Sequence, residues 1–146
     1  MDYKLINLSY FDDKKSTLIA CEKNINCPFE IKRIFYIFDV PEHTIRGDHA
    51  NLNSQFFFIA LKGECKIKID DGNKKEIFLL NNPKQGLFLD KMLWKQMYDF
   101  SKDCILLVLA NTCYDKNEYI YNYDEFCKIK NAVRGGGYEY TILNVA

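Results

Sequence analysis

The sequence contains little histidine and no excess of charge of either sign. Among 146 residues there are two histidines, and 20 Lys and Arg balance 20 Asp and Glu. A neutral chain creates no long-range field that would recruit nucleic acid or anionic lipid, so the balance argues against both partners. The longest apolar run, Ile105–Ala110, is strand-sized and much shorter than a membrane span.

Two further absences concern targeting and cysteine chemistry. The N-terminal residues lack the basic-then-apolar pattern of a signal peptide, so we expect a cytoplasmic protein. The six cysteines include no C-x-x-C pair and lie mostly within apolar runs. They are therefore expected to be buried free thiols and not disulfides or zinc ligands.

What the sequence does contain is a succession of short segments rich in branched and aromatic residues. These segments predict strands at residues 16–22, 31–40, 56–70 with a break at Gly63, 74–80, 86–90, 94–100 and 104–110. The Asp-Gly turn at residues 70–73 predicts a hairpin, and only residues 123–133 favour a helix. The pattern indicates an all-β barrel or jelly roll, shaped as a cup, with a short C-terminal helix. We expect one domain over residues 1–130 and a glycine-jointed tail over 131–146.

The segment RGDHAN, residues 46–51, brings together residue types that can carry out chemistry. On a strand, His49 and Asn51 share one face because side chains two apart point the same way. An imidazole suits acid/base catalysis, Asn51 can hydrogen-bond a substrate oxygen or hold the imidazole, and Arg46 can pair with a phosphate. The alternative interpretation is a packing histidine and a surface ion pair at Arg46.

Metal binding is not supported by this segment. A transition metal requires three or four good donors, but Asn51 follows where a second histidine is common in such cups, and Gln55 occupies a position where a carboxylate might follow. The other histidine, His43, lies upstream in a loop-like segment. The sequence therefore predicts neither a metal ion nor a cofactor.

Three further polar residues lie within predicted strands. Arg33 and Tyr36 are either a phosphate clamp and a ring facing a ligand, or a snorkelling arginine and a core tyrosine. Lys95 is either an outward-facing charge or a cation lining the cup. The residue pattern alone leaves these alternatives open.

Four segments, in order, resemble the sugar-nucleotide 3,4-ketoisomerases. They are IKRIFYIFDV, RGDHAN, GECKIKIDDG and the stretch from GLFLDKMLWKQMYDF to YDEF, and the resemblance runs from about the first strand to Phe126. These FdtA-type, WxcM-like isomerases belong to the cupin superfamily. The resemblance implies a jelly-roll homodimer, often with exchanged N-terminal strands, that binds a dTDP-linked 4-keto-6-deoxy sugar without metal. Its reaction moves the ketone from C4 to C3.

The resemblance also implies roles for individual residues. His49 matches the first histidine of the family motif and is the expected acid/base. Arg46, Arg33 and Tyr36 also match family positions and are expected to bind substrate. Gln55 is a further expected substrate-binding residue, which rests on no family match.

The chain departs from the family pattern at two places. Asn51 replaces a second histidine, and the segment from Trp94 to Tyr98 replaces W-H-E-M-H. Lys95 or Tyr98 is expected to assist as a second donor, or Asn51 to hold the enediolate.

Three functions are compatible with these observations. The first is a 3,4-ketoisomerase in deoxyamino-sugar biosynthesis for surface glycans. The second is a non-catalytic cupin module that binds a nucleotide sugar. The third is a metal-dependent cupin enzyme, against which the missing ligands argue.

Overall fold

The structure, a computed structural model, describes residues 2–134. Within that range the chain forms mainly β-strands, followed by one α-helix. The strands are β1 (Tyr3–Asn7), β2 (Phe11–Asp12), β3 (Thr17–Leu18), β4 (Arg33–Phe38), β5 (Arg46–Asn51), β6 (Phe56–Lys62), β7 (Cys65–Asp70), β8 (Lys75–Leu80), β9 (Gln85–Leu89), β10 (Trp94–Tyr98), β11 (Ile105–Ala110) and β12 (Tyr119–Ile120), and the helix is α1 (Tyr123–Arg134).

Two five-stranded antiparallel sheets form the body of the molecule. The first sheet has the order β1-β9-β6-β11-β4 and the second has the order β12-β5-β10-β7-β8. Their inner faces share one core, in which Phe58 and Leu106 of the first sheet pack with Ile67 and Met97 of the second. Strand β7 shows the underlying pattern, since its apolar positions are buried and its lysines are half-exposed. The predicted all-β fold with a short C-terminal helix is confirmed.

Helix α1 covers the outer face of the second sheet. Phe126 and Ile129 are buried against Trp94, and the rings of Trp94 and Phe126 have centroids 5.7 Å apart. The helix continues to Arg134, past the predicted domain boundary at residue 130. Residues 135–146 of the predicted tail lie outside the described residues.

The N-terminal part differs most from the sequence-based expectation. The strand predicted over residues 16–22 is only Thr17–Leu18, which pairs with Phe11–Asp12. Strand β1 was not predicted, and neither was the two-residue strand β12, because segments this short or weakly patterned give no clear period of two.

The cysteines are distributed between the interior and the surface of the fold. All six cysteines are free, and Cys27, Cys65 and Cys104 are buried, whereas Cys113 is exposed. In the described part of the chain, no helix has the length and apolar character needed to cross a membrane.

Candidate active site

A β-bulge in strand β5 shapes the site. Lys95 of β10 pairs with His49, and the next residue, Gln96, pairs with Gly47. Asp48 is therefore the extra residue of the bulge, with no partner position in β10. Gly47 and Asp48 have φ angles of 81° and 60°, the left-handed conformation that glycine adopts without strain. Residues three apart normally point to opposite faces of a strand. The extra residue reverses this, so Arg46 and His49 line the same cavity.

That cavity lies between the two sheets and has a volume of about 200 Å³. Its walls are largely apolar and come from β4, β5, β6, β10 and β12. Four of its lining residues carry polar groups that can interact with a ligand: Arg46, His49, Lys95 and Tyr119. An apolar cavity with a few converging polar groups is the usual form of a small-molecule site.

His49 lies against a wall of tyrosine rings. Its imidazole centroid is 4.8 Å from that of Tyr119 and 5.7 Å from that of Tyr121. Burial, followed by the charge of Lys95, lowers the pKa of His49 to about 4, and hydrogen bonding to the Gly47 backbone and the Asn51 side chain opposes this only in part. At neutral pH the imidazole is therefore uncharged and able to accept a proton.

Lys95 is a lysine buried in the core. Its side chain is 3% exposed, its Nζ donates a hydrogen bond to Asn51 Oδ1 at 2.7 Å, and the ammonium lies 4.7 Å from the centre of the Phe56 ring. Burial lowers its pKa to about 7, against the opposing effect of the Glu118 charge. Lys95 can consequently both donate and accept a proton near neutral pH.

Asn51 links the two titratable groups. It is 1% exposed, and its Oδ1 accepts the hydrogen bond from Lys95. Its Nδ2 is buried without a hydrogen-bond partner among the described residues. Buried polar atoms are normally paired, so this amide is an unused hydrogen-bond donor.

Arg33 lies on the cavity side of β4. Strand alternation gives Arg33 the same face as Phe35, which lines the cavity. Its guanidinium carbon is 5.4 Å from the Phe35 ring centre and 5.7 Å from that of Tyr114. The Nε and Nη2 atoms are buried and have no hydrogen-bond partner within the described chain. Two unused donors of a cation are thus available to an anion.

The other three predicted site residues do not line this cavity. Tyr36 lies on the outer face of β4, where it is 63% exposed, and it shares a neighbouring groove of about 270 Å³ with Arg46. Gln55 donates to Asp90 at 2.9 Å and accepts from Asn111 at 3.0 Å. Tyr98 is half-buried at the end of β10, and alternation places it on the face opposite Lys95.

Sequence reasoning missed the residues that close the site from β12. Tyr119 pairs with Asn51 across the strands, and Tyr121 extends the same aromatic wall, with the two rings stacked at 5.9 Å. Glu118, immediately before them, is 2% exposed. The alternating tyrosines of the segment EYIYNY were the available signal, because a period of two places such rings on one face.

The described residues offer no cluster of metal ligands. Nowhere in residues 2–134 do three His, Cys, Asp or Glu side chains come together in a way that suits a metal ion. The other histidine, His43, lies in the exposed loop before β5.

Comparisons with known proteins identify relatives of this chain. A curated TDP-4-oxo-6-deoxy-alpha-D-glucose-3,4-oxoisomerase from Aneurinibacillus thermoaerophilus is 41% identical over 128 residues, which cover 88% of this chain and 92% of the relative. The crystal structure of WlaRA, a TDP-fucose-3,4-ketoisomerase from Campylobacter jejuni, is 58% identical with a TM-score of 0.88, covering 92% of this chain and 99% of that one.

A third relative was solved with a ligand. QdtA, a sugar 3,4-ketoisomerase from Thermoanaerobacterium thermosaccharolyticum in complex with TDP, is 35% identical with a TM-score of 0.86, over 89% of this chain and 95% of that one. The family model described as FdtA, WxcM-like, C-terminal, matches residues 1–131. The chain therefore belongs to the FdtA, WxcM-like family, as its sequence motifs predicted.

Proposed function

We propose that the protein is a sugar-nucleotide 3,4-ketoisomerase, which converts TDP-4-keto-6-deoxyglucose into a TDP-3-keto-6-deoxyhexose. The observation that carries the proposal is the cross-strand pair of His49 and Lys95 in an apolar cavity, one uncharged and the other near its titration midpoint at neutral pH. The activities for which the relatives are named support it, as does a complex of a histidine-to-asparagine QdtA mutant with TDP-4-keto-6-deoxyglucose.

The chemistry requires two coupled proton movements. A base removes the proton from C3, and the electrons form an enediolate with the former C4 carbonyl oxygen. Transfer of the O3 proton to O4 and return of a proton to C4 then give the C3 ketone and the C4 hydroxyl, so the reaction is balanced without an oxidant or a second substrate. The enzyme must therefore provide a carbon acid/base and stabilise charge on two neighbouring oxygens.

His49 is the proposed carbon acid/base. Its uncharged imidazole can take the C3 proton, and the resulting imidazolium can return that proton to C4. The rings of Tyr119 and Tyr121 restrict the orientation of the imidazole on one side. The low pKa of His49 makes the imidazolium a strong proton donor, which favours the return step.

Lys95 and Asn51 are the proposed oxygen-binding pair. The ammonium of Lys95 can stabilise the enediolate and exchange a proton with its oxygens, since its pKa is about 7. The unpartnered Nδ2 of Asn51 supplies a second donor beside it. Tyr98 stays a prediction as an assisting donor, although alternation directs it away from the cavity.

Arg46 and Arg33 are the proposed ligands of the diphosphate. Arg46 lines both the cavity and the groove beside it, so a diphosphate bound there would place the hexose in the cavity and the nucleoside along the groove that Tyr36 lines. Arg33 offers two free guanidinium donors on the cavity side of β4. For Gln55 the support is weaker, because its amide is already bonded to Asp90 and Asn111.

Hydrogen exchange in deuterium oxide tests the reaction. Incubation with TDP-4-keto-6-deoxyglucose should place deuterium at C3 of recovered substrate and at C4 of product, measured by mass spectrometry and NMR. His49→Asn should bind TDP but give no exchange. A wild-type protein that binds the nucleotide sugar without exchange would instead be the non-catalytic cupin module.

We infer that the product has the fucose configuration at C4. WlaRA, named for TDP-fucose, is 58% identical to this chain, whereas WlaRB, a TDP-quinovose 3,4-ketoisomerase from the same organism, is 44% identical. The proton would then reach C4 from the face that leaves the hydroxyl axial. The coupling constants between the C4 and C5 protons of the reduced product distinguish the two configurations.

The proposal includes a metal-free reaction and a homodimer in the cytoplasm. Activity should survive dialysis against a chelator, whereas loss of activity that is restored by one metal would indicate the metal-dependent alternative.

For the dimer, the support is the outer face of edge strand β4, where Ile34 is 60% and Phe38 54% exposed. Strand β1, at the other edge of this sheet, is the element proposed to exchange between copies.

Sedimentation of matched variants tests the dimer. Ile34→Glu should lower the sedimenting mass from two chains toward one. Ile77→Glu, at the edge strand of the other sheet and 55% exposed, should leave it unchanged. A single-chain mass for the wild type would refute this part of the proposal.

A further inference from the structure

Glu118 is a buried carboxylate that the proposed mechanism does not use. It is the last residue of a short 3-10 helix, Lys116–Glu118, which joins β11 to β12. Its side chain is 2% exposed. A carboxylate is rarely buried this deeply unless its partners justify the loss of hydration.

The hydrogen bonds of Glu118 hold the chain segment that follows Asn51. Its carboxylate accepts from the backbone N–H of Asn53 at 3.1 Å and of Ser54 at 2.9 Å, and also from the Ser54 hydroxyl. Its backbone carbonyl accepts from the N–H of Leu52 at 2.9 Å. The next residue, Tyr119, pairs with Asn51 and packs on His49. Glu118 therefore fixes two sides of the site together.

The charge of Glu118 acts on Lys95. Over residues 2–134, no cation lies within 4.0 Å of this carboxylate as an ion-pair partner, and its negative charge favours the ammonium form of Lys95. The other polar groups that face Lys95 across the cavity are Arg46 and His49 of β5 and Tyr119 of β12. Strand β4 contributes Phe35, Ile37 and a further cation, Arg33, and strands β6 and β7 present the apolar side chains Phe56, Phe58, Ile67 and Ile69. Apart from the Asn51 oxygen that accepts its hydrogen bond, the described residues offer Lys95 one opposing charge, that of the buried Glu118.

We propose that Glu118 is a positioning residue, which supplies the counter-charge for Lys95 and, through Asn53 and Ser54, fixes the segment that carries Asn51. This inference rests on the proposed function for its catalytic meaning. The structural relation between Glu118 and Lys95 can nevertheless be measured without substrate. The proposal assigns a purpose to a buried acid that is remote in sequence from Asn51 and Lys95.

The test is the titration of Lys95 itself, followed by NMR in protein labelled with ¹³C at lysine Cε, with Lys95→Met to identify the signal. Removing the charge in Glu118→Gln should move the midpoint of Lys95 to lower pH by about half a unit or more. Ser54→Ala is the matched control, because it removes a hydrogen bond to Glu118 and keeps the charge. Its midpoint should equal that of the wild type.

A second variant covers the case in which Glu118→Gln does not fold. Glu118→Asp withdraws the carboxylate by one methylene and should shift the Lys95 midpoint in the same direction by a smaller amount. An unchanged midpoint in whichever of the two variants folds, or an equal shift in Ser54→Ala, overturns the proposal.

The isomerase assay separates this inference from the proposed function. In an active enzyme, the limb of the pH profile of kcat that Lys95 controls should move with the NMR midpoint in Glu118→Gln. If no isomerisation is found but the midpoint shifts, the charge relation stands and the proposed function fails. If the enzyme is active and the midpoint does not move, only the role of Glu118 is refuted.

Discussion

Replacing Lys95 with methionine is expected to stabilise the protein while it inactivates the enzyme. The pKa of Lys95 is lowered from 10.5 to about 7 in the folded chain, so the unfolded chain binds one more proton between these two values. Excess protons on the unfolded state mean that the free energy of unfolding rises with pH across this window. At and below pH 7 the burial of Lys95 therefore opposes folding, and methionine removes that effect.

The size of the effect follows from the same two values. One pKa unit corresponds to about 1.36 kcal/mol, and half-protonation at pH 7 leaves a penalty of about 4 kcal/mol for Lys95. Methionine leaves Asn51 Oδ1 without its donor, which costs about 1–3 kcal/mol at every pH. The variant should thus be more stable by about 2 kcal/mol at pH 7, and this advantage should shrink by about 1.5 kcal/mol by pH 8.5.

Urea unfolding at pH 7.0, 7.75 and 8.5 measures this advantage. The relevant quantity is the difference in the free energy of unfolding between wild type and Lys95→Met, because other groups that titrate here cancel in that difference. Lys68→Met, on the neighbouring strand and half-exposed, is the control and should show no pH-dependent difference. A Lys95→Met difference that does not change with pH would refute the lowered pKa, and with it the proposed role of Lys95 in proton exchange.

Three further predictions concern strand β5. His49→Asn should lack isomerase activity. Between pH 6.5 and 4 its free energy of unfolding, measured in urea, should fall less than that of the wild type, by up to about 3 kcal/mol, because the unfolded wild type binds a proton that the folded His49 does not. An equal fall in both proteins would contradict the lowered pKa of His49. Arg46→Ala should weaken TDP binding by about tenfold or more in calorimetry, as for a lost charge-assisted hydrogen bond, and unchanged affinity would exclude Arg46 from the diphosphate site. Gly47→Ala should lower the free energy of unfolding by about 1–2 kcal/mol and reduce kcat. The reason is that alanine is strained at a φ of 81° and its Cβ would lie 3.1 Å from the carbonyl oxygen of Lys95. Unaltered stability would show that the bulge tolerates a side chain.

The parts of the fold that could be predicted are those with strong local signals. The Asp-Gly turn and the alternation of Ile67 and Ile69 with lysines identified the β7–β8 hairpin, which the structure contains in register. The helix predicted over 123–133 agrees with Tyr123–Arg134 within one residue. The common face of His49 and Asn51 followed from the period of two, because no irregularity lies between them.

The parts that could not be predicted depend on tertiary contacts. A bulge needs a partner strand to define it, so the sequence did not indicate that Gly47 and Asp48 would turn Arg46 toward the cavity. Strand β12 exists only because Tyr119 and Ile120 pair with β5, and two residues are too few for a pattern. Nothing local distinguishes Glu118 from the exposed acids of the same segment.

The different acid/base roles proposed for His49 and Lys95 follow from how they are packed more than from their residue types. Burial is the main cause of the lowered pKa of both His49 and Lys95. Because the two groups start from different ordinary values, the pKa falls to about 4 for the imidazole and to about 7 for the ammonium. At neutral pH the cavity therefore holds a proton acceptor opposite a group that can donate, in directly paired positions of β5 and β10. Groups whose surroundings separate their pKa values can act as base and acid in one reaction. Lys95 can thus act as a proton donor beside Asn51, at a site where many family members are expected to have a second histidine. This role requires that the sheet keep water away from the lysine, because burial is what lowers its pKa.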